Sequence, residues 1–410
     1  MTQPSDERET TRFFAVDPEK LQDPFADMAY FRRYKPVFWY EPMQMWFVFR
    51  FEDVDALFRD SRLSSKRMPY FFSTVPPHKL AGLRWMLEYC DRWLVNRDGE
   101  DHKRIRRLIH AGLTPRIVTS LRDAMQRTTD ALLDKVVHRG GIDAAQDLAY
   151  PLSLQIISDL LGVQEDKRAG LTQWDDDLSA FFNAFPVTEQ ACDAVSRTLE
   201  EMVAHLRQEI AERRSRPHHD YLGELVRVED EGHMLDDLDI IANGILLLAA
   251  GHLPARALTG HAIHLLLTHP EQRERLRAEP SLLSQAVEEA ARFEPSNPLV
   301  ARIADDDFEL HGHRIRKGQF VQLCVGSANR DGQRFSDGDL FDISRPPSKI
   351  LSFGAGPHFC LGALLAQQQA EIAVATLFRR FPTAALDVER SPQWMRTAMF
   401  RGPTSLPLTI

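Results

Sequence analysis

The chain has 410 residues, of which 43% are hydrophobic and 27% charged, with a formal net charge of −9 at pH 7. That composition supports a large buried core, and the acidic balance argues against a general nucleic-acid binder. Cys90, Cys192, Cys324 and Cys360 stand far apart without CxxC spacing, which disfavours a disulfide framework or zinc site and fits a reducing, cytoplasmic compartment.

Residues 1–12 are polar and mixed in charge, with neither signal-peptide nor anchor pattern, and read as a disordered tail. From residue 13 to 410 no repeat, low-complexity tract or Gly/Ser linker interrupts the chain, so a single domain is expected although length alone would suggest two or three. Val37–Tyr40 and Trp46–Phe49, separated by Glu41-Pro42-Met43, predict a small hairpin. Residues 68–98, with Tyr70, Phe71, Phe72, Pro76 and Pro77, read as loop-rich. Amphipathic periodicity then predicts helices over 121–137, 152–161, 191–213, 238–267 and 282–293. The most apolar run, Ile240–Ala250, is shorter than the roughly 20 residues a bilayer span needs, so no membrane partner is expected. Phe308-Glu309-Leu310 and Gln319–Val325, beside Gly312 and Gly318, form a second β region. A last helix is expected over 361–381. The class is therefore mainly α with a small β region.

The run Phe353-Gly354-Ala355-Gly356-Pro357-His358-Phe359-Cys360-Leu361-Gly362 presents a cysteine at the end of a stiffened loop, just before Ala363-Leu364-Leu365-Ala366. Unpaired N–H groups and the positive dipole end at a helix start favour a thiolate there. Glycines let the backbone approach a flat partner closely. This pattern resembles the haem-ligand loop of the cytochrome P-450 family. The resemblance implies the P-450 fold over nearly the whole chain, with a long central helix over a haem and the cysteine loop beneath. It also implies haem b with Cys360 as axial iron ligand, Phe353 and Gly362 beside it, and a thiolate that pushes electron density onto the metal.

Other stretches carry the same resemblance. Glu289-Ala290-Ala291-Arg292 places carboxylate and guanidinium on one helix face and resembles the ExxR motif. Arg345, in Phe341-Asp342-Ile343-Ser344-Arg345, matches the third member of that structural triad. Ala328-Asn329-Arg330-Asp331 resembles the meander upstream of the cysteine, with Gly332 and Gly338 where proline is usual, a departure expected to loosen it. His102 and Arg106, at i and i+4, resemble a haem-propionate clamp, which Arg302 and His358 would complete. Lys103, Arg104 and Arg107 on that same helix form either a docking patch for an acidic redox partner or a solvated face.

The central helix departs from the family. Where its members carry A-G-x-[D/E]-T, with acid and alcohol serving proton delivery, this chain reads Ala250-Gly251-His252-Leu253-Pro254-Ala255. Pro254 lacks an N–H and is expected to kink the helix. His252 is the candidate to replace the relay, since an unperturbed histidine titrates near neutrality, yet about 100° per residue points it away from Ala250. Arg256 is a candidate for the same role as His252. Two mechanisms remain open: electrons from NAD(P)H through a reductase and ferredoxin, with protons from water or substrate, or a peroxide-using, coupling or desaturating reaction. A haem-thiolate protein that binds a ligand without turnover is the non-enzymatic alternative.

The resemblance places Phe71 and Phe72 in a capping loop, and Phe181, Phe182 and Phe185 at a lid helix. Leu246, Ala249 and Ala250 line the central helix, Leu299 and Val300 precede Arg302, and Met399 and Phe400 sit in the terminal turn. Together they imply a monomeric monooxygenase of secondary metabolism acting on a flat, apolar, aromatic small molecule. Asp91-Arg92-Trp93-Leu94-Val95 and Met399-Phe400-Arg401-Gly402-Pro403-Thr404 look like members that join aromatic rings in bisindole products.

Overall fold

The computed structural model describes residues 7–9, 12–163, 169–182, 187–230 and 233–410. They group into two compact units, the first comprising Met1–Ser64, Thr129–Tyr150 and Pro254–Ile410, the second Ser65–Thr128 and Pro151–Leu253.

The first unit holds most of the sheet structure. Val37–Tyr40 and Met45–Val48 form the expected antiparallel hairpin, with Val37 opposite Val48. They belong to a five-stranded sheet that continues through Phe320–Leu323 and Val300–Ala304 to Leu63–Ser64. Phe308–Leu310 pairs instead with His313–Ile315 in a separate ribbon, so the two expected strands of the second β region lie in different sheets. The turn residue Gly312 takes φ +78° and Gly318 φ +86°, left-handed conformations that glycine adopts without strain. One side of the main sheet packs on an aromatic core of Phe13, Phe14, Phe31, Phe47 and Phe49, where Phe31 stacks on Phe49 at 5.1 Å between centroids.

Of the expected tail, residues 7–9 and 12 are described. Glu7–Glu9 form a short 3-10 turn, with Arg8 3.2 Å from buried Asp27 and Glu9 accepting from the Tyr30 hydroxyl at 3.4 Å. Charge pairing, absent from a composition argument, pins it. Residues 1–6, 10 and 11 lie outside the described residues.

In the second unit the stretch expected to be loop-rich is mostly helical: Met68–Ser73 and Pro77–Arg92. Both helices carry proline in their first turn, where its missing N–H and fixed φ are suited to helix initiation. Pro115 likewise opens the helix that was expected to begin at residue 121. Gly99–Ala111, Ala169–Phe182, Glu189–Ser215 and Tyr221–Arg227 complete the helical set around it.

The central helix, Asp237–Thr268, runs continuously through Pro254. It is long and apolar enough to cross a membrane, with an 18-residue window of mean hydropathy 1.5, yet 61% of that window is buried as in a core helix.

Candidate active site

The expected site residues fall into two groups, one in each unit. In the first unit, Ala363–Arg380 forms the helix behind the cysteine loop, with Gly362 at its N-cap. The loop is shaped by main-chain bonds: Gly354 N donates to Leu351 O at 2.8 Å, Phe359 N to Gly356 O at 3.1 Å, and Cys360 N to Phe353 O at 2.8 Å. Gly356 takes φ +69°, and a Cβ there would lie 2.9 Å from Arg59 Cγ and 3.0 Å from Phe58 O. No other residue type fits that position. Cys360 is exposed whereas Cys90, Cys192 and Cys324 are buried. Burial pushes the thiols of those three upward, so they are poor sources of a thiolate.

The scaffold beneath the loop is the triad anticipated from sequence. Arg292 binds Glu289 with both prongs, Nε to Oε2 at 2.7 Å and Nη2 to Oε1 at 2.8 Å. Its remaining donors reach Asn329 O, Gly338 O and Leu340 O at 2.7–2.9 Å. Arg345 Nε donates to Glu289 Oε1 at 3.3 Å, and the Asp342 amide adds a third donor at 3.0 Å. Every charge in this buried cluster is thus satisfied. Gly338 does not loosen the meander, contrary to expectation. A Cβ there would sit 2.5 Å from Arg330 O, so glycine permits the close approach that lets its carbonyl bind Arg292.

Arg302, on strand Val300–Ala304, is 5% exposed and donates to Ala301 O at 2.9 Å. His358 is half-buried in the loop. One of the pocket expectations needs correction: Leu299 is buried in the N-terminal aromatic core. Val300, which opens the next strand, is half-buried and packs on the cluster at the other side of the sheet. Met399 and Phe400 remain half-buried, and Arg401 anchors their turn by an ion pair with buried Glu294. Burial would raise the Glu294 carboxyl, but Arg401 holds it below its ordinary value.

Along the central helix the buried surface opens at Ala250, which is exposed, while Leu246, Ala249, Gly251 and Pro254 are half-buried. His252 faces elsewhere. It is 0% exposed, its Nε2 lies 3.5 Å from Asp175 Oδ2, and its carbonyl accepts from Ser153 Oγ at 3.0 Å. The side chain is therefore a buried packing partner of Asp175, set apart from the open stripe, which corrects its candidacy as proton donor. Arg256 places its guanidinium over the Tyr150 ring at 5.1 Å.

In the second unit the Gly99–Ala111 helix carries buried His102 and half-buried Arg106. Lys103 pairs with Glu100 at 2.6 Å and Arg104 with Asp101 at 2.9 Å, so part of the basic patch is neutralised on its own helix. Phe71, Phe72, Phe181 and Phe182 form one ring cluster, with Phe71 5.3 Å from Phe181 and 5.5 Å from Phe182. Trp93 joins it at 5.0 Å from Phe182. Phe185 lies outside the described residues.

A family model for cytochrome P450 matches residues 24–406. The chain belongs to the cytochrome P450 family. It is 29% identical to the polyketide biosynthesis cytochrome P450 PksS of Bacillus subtilis over 98% of this chain and 99% of that one. It is 33% identical to epothilone C/D epoxidase of Sorangium cellulosum, covering 95% and 93% of the two chains. The solved structure of P450BioI in complex with a hexadec-9Z-enoic acid-ligated acyl carrier protein superposes with TM-score 0.86 at 29% identity, over 96% of this chain and 99% of that chain. As a P450, the protein is a monooxygenase-type oxidoreductase, which sets aside the ligand-binding alternative.

The family's prosthetic group is haem, and the residues around Cys360 fit it. The exposed thiol is flanked by exposed Phe359 and Leu364, 44% and 57% accessible. A Cβ on Gly362 would meet nothing within 4 Å. A flat apolar partner suits that surface. Among the described residues no His, Cys, Asp and Glu cluster offers an alternative metal site. Sequence reasoning missed Asp175 and Ser296, which carry no motif. It also missed the packing of Trp93, although the run Asp91–Val95 had singled that residue out.

Proposed function

We propose that this P450 oxidises an apolar, planar aromatic small molecule in bacterial secondary metabolism without a side-chain proton relay. The observation that carries the substrate class is the ring cluster of Phe71, Phe181, Phe182 and Trp93, which offers stacking and little charge. Biosynthetic relatives support the setting.

Haem b supplies the oxidising chemistry when bound. Cys360 would ligate its iron, with Phe353 and Gly362 shaping the loop. Arg302, with His358, would hold a propionate, and His102 and Arg106 carry the spacing of the family's propionate clamp. The Glu289–Arg292–Arg345 triad keeps the meander, and with it the cysteine loop, in place. Leu253 and Pro254 have no transferable proton, and His252 is committed to the buried side of its helix. Protons then come from water or from the substrate. Ala250, small and exposed, leaves room for water beside it, whereas Gly251 packs against Ile157. Electrons come from NAD(P)H through a ferredoxin and its reductase, to a cytoplasmic, monomeric enzyme.

The same Leu253-Pro254 pair supports a second reading, peroxide use or oxidative coupling. Product formation with ferredoxin, reductase and NADPH, then with hydrogen peroxide alone, then with neither, separates the two. Turnover only with the electron-transfer proteins supports the first; equal or better turnover with peroxide alone overturns it. A ligand screen by Soret shift tests the aromatic class, which a strict preference for aliphatic compounds would refute.

A further inference from the structure

We propose that the indole N–H of Trp93 donates a hydrogen bond to an acceptor, most simply a carbonyl oxygen, on the planar aromatic substrate. The proposal rests on the aromatic reading above and adds the polar contact that stacking alone does not provide.

Trp93 is 5% exposed, and its Nε1 is buried with no hydrogen-bond partner among the described residues. A buried indole N–H ordinarily finds an acceptor, and an orphan in a well-packed region calls for a cause. A loosely held backbone is not that cause. Trp93 N donates to Cys90 O at 3.2 Å and Trp93 O accepts from Asn96 N at 2.8 Å. The next amide, Leu94 N, donates to Asn243 Oδ1 at 2.8 Å, and Asn243 Nδ2 returns to Arg92 O at 3.2 Å. The loop is thus tied on both sides, and only the side-chain donor is left over.

Its surroundings are aromatic. Trp93 meets Phe182 at 5.0 Å and 54°. Phe182 lies 5.5 Å from Phe71 at 30° and 5.0 Å from Phe181 at 88°. Phe181 is fully buried, whereas Phe71 and Phe182 are half-exposed, so the two outer rings can yield to a flat ligand while the inner ones hold. Faces of rings attract a flat ligand but scarcely fix its rotation. One donor at the back of the cluster would fix it, and would reject an isostere that lacks the acceptor because the donor then stays unpaired.

The test uses 9-fluorenone and fluorene, which share a rigid tricyclic shape and differ in the carbonyl. Their dissociation constants for the haem-loaded protein are measured by equilibrium dialysis, with wild type and Trp93→Phe. Wild type is expected to bind fluorenone about tenfold more tightly. Trp93→Phe keeps the ring, removes the donor, and should abolish that preference while leaving fluorene within about twofold. Equal affinities in wild type overturn the proposal, and need no variant should Trp93→Phe fold poorly. A preference that survives in Trp93→Phe overturns it too, as does an equal weakening of both ligands, which would mean packing alone. If wild type binds neither compound, the aromatic reading itself fails with it.

Discussion

Ser296 donates its hydroxyl to the Pro254 carbonyl at 2.9 Å, and its own carbonyl accepts the Arg401 amide at 2.9 Å. One residue thereby ties the helix at its proline to the turn that carries Met399 and Phe400, and Asn297 Nδ2 adds a bond to Met399 O at 3.3 Å. Pro254 lacks the N–H that would donate to Ala250 O, so the helix ladder is interrupted one turn before the carbonyl that Ser296 binds.

Ser296→Ala should lose about 1 kcal/mol of stability, the usual net value of one hydrogen bond. It should also change the ratio of oxidation products, because the Met399–Phe400 turn is no longer fixed against the helix. Thermal melting and product ratios check this. Unchanged product ratios would mean that Ser296 is structural only.

His261 gives a pH signature. It is fully buried and stacks on Trp394 at 5.8 Å. Burial pushes its pKa down to about 3. The unfolded chain binds a proton near pH 6.5 and the folded one does not, so stability falls as pH drops below 6.5, by at most about 1.4 kcal/mol per pH unit, until the folded histidine titrates. Glu294, held below its ordinary value, adds acid sensitivity only below the usual carboxylate range. Between pH 6.5 and 5, His261→Phe should therefore flatten the profile of denaturation midpoints. A slope identical to wild type would show that the ring is protonated or solvated when folded.

Removing the charge of Glu289 leaves buried Arg292 and half-buried Arg345 without their shared counter-ion. Glu289→Gln should cost about 3–5 kcal/mol and lower the yield of haem-loaded protein. Urea unfolding and haem-to-protein ratio measure it, and a loss under about 1 kcal/mol would show the triad to be dispensable.

Much of this architecture was legible because its signals are local. Apolar periodicity marked the Glu189–Ser215 and Asp237–Thr268 helices, and the run from Phe353 to Gly362 marked the cysteine loop. Prolines misled, since Pro77 and Pro115 start helices instead of breaking them, and a residue count cannot tell the two uses apart. The Glu7–Glu9 turn is tied by Arg8 meeting Asp27, a tertiary pairing. Spacing did place His252 away from Ala250, but nothing in sequence announced Asp175 as its partner. Ser296 was invisible for the same reason: its role comes from where the chain returns, not from its neighbours.

Cys360→Ala should abolish the long-wavelength Soret band of the reduced, carbon monoxide-bound protein, because the other three thiols are buried and pushed toward their neutral forms. Persistence of that band in Cys360→Ala would assign the ligand elsewhere.

Pro254 is where the reaction itself can be questioned. An interior proline costs a helix about 3 kcal/mol, so Pro254→Thr should leave stability level or raise it, provided the bond from Ser296 to the residue-254 carbonyl persists. The new hydroxyl would restore half of the family's acid-alcohol pair. Restoring the other half is harder: Leu253 is 5% exposed, so Leu253→Asp buries a carboxylate and should reduce stability by about 1–3 kcal/mol or more unless it finds a donor. If the native chemistry needs no relay, substrate turnover in Pro254→Thr should stay level or fall, since the open stripe beside Ala250 is altered for no gain. The deciding quantity is product formed per electron consumed, in Pro254→Thr and in the Leu253→Asp/Pro254→Thr double variant, compared with wild type at equal haem content. A severalfold rise in either would identify the native site as a weakened proton-delivery machine, and the relay-free mechanism would have to be abandoned.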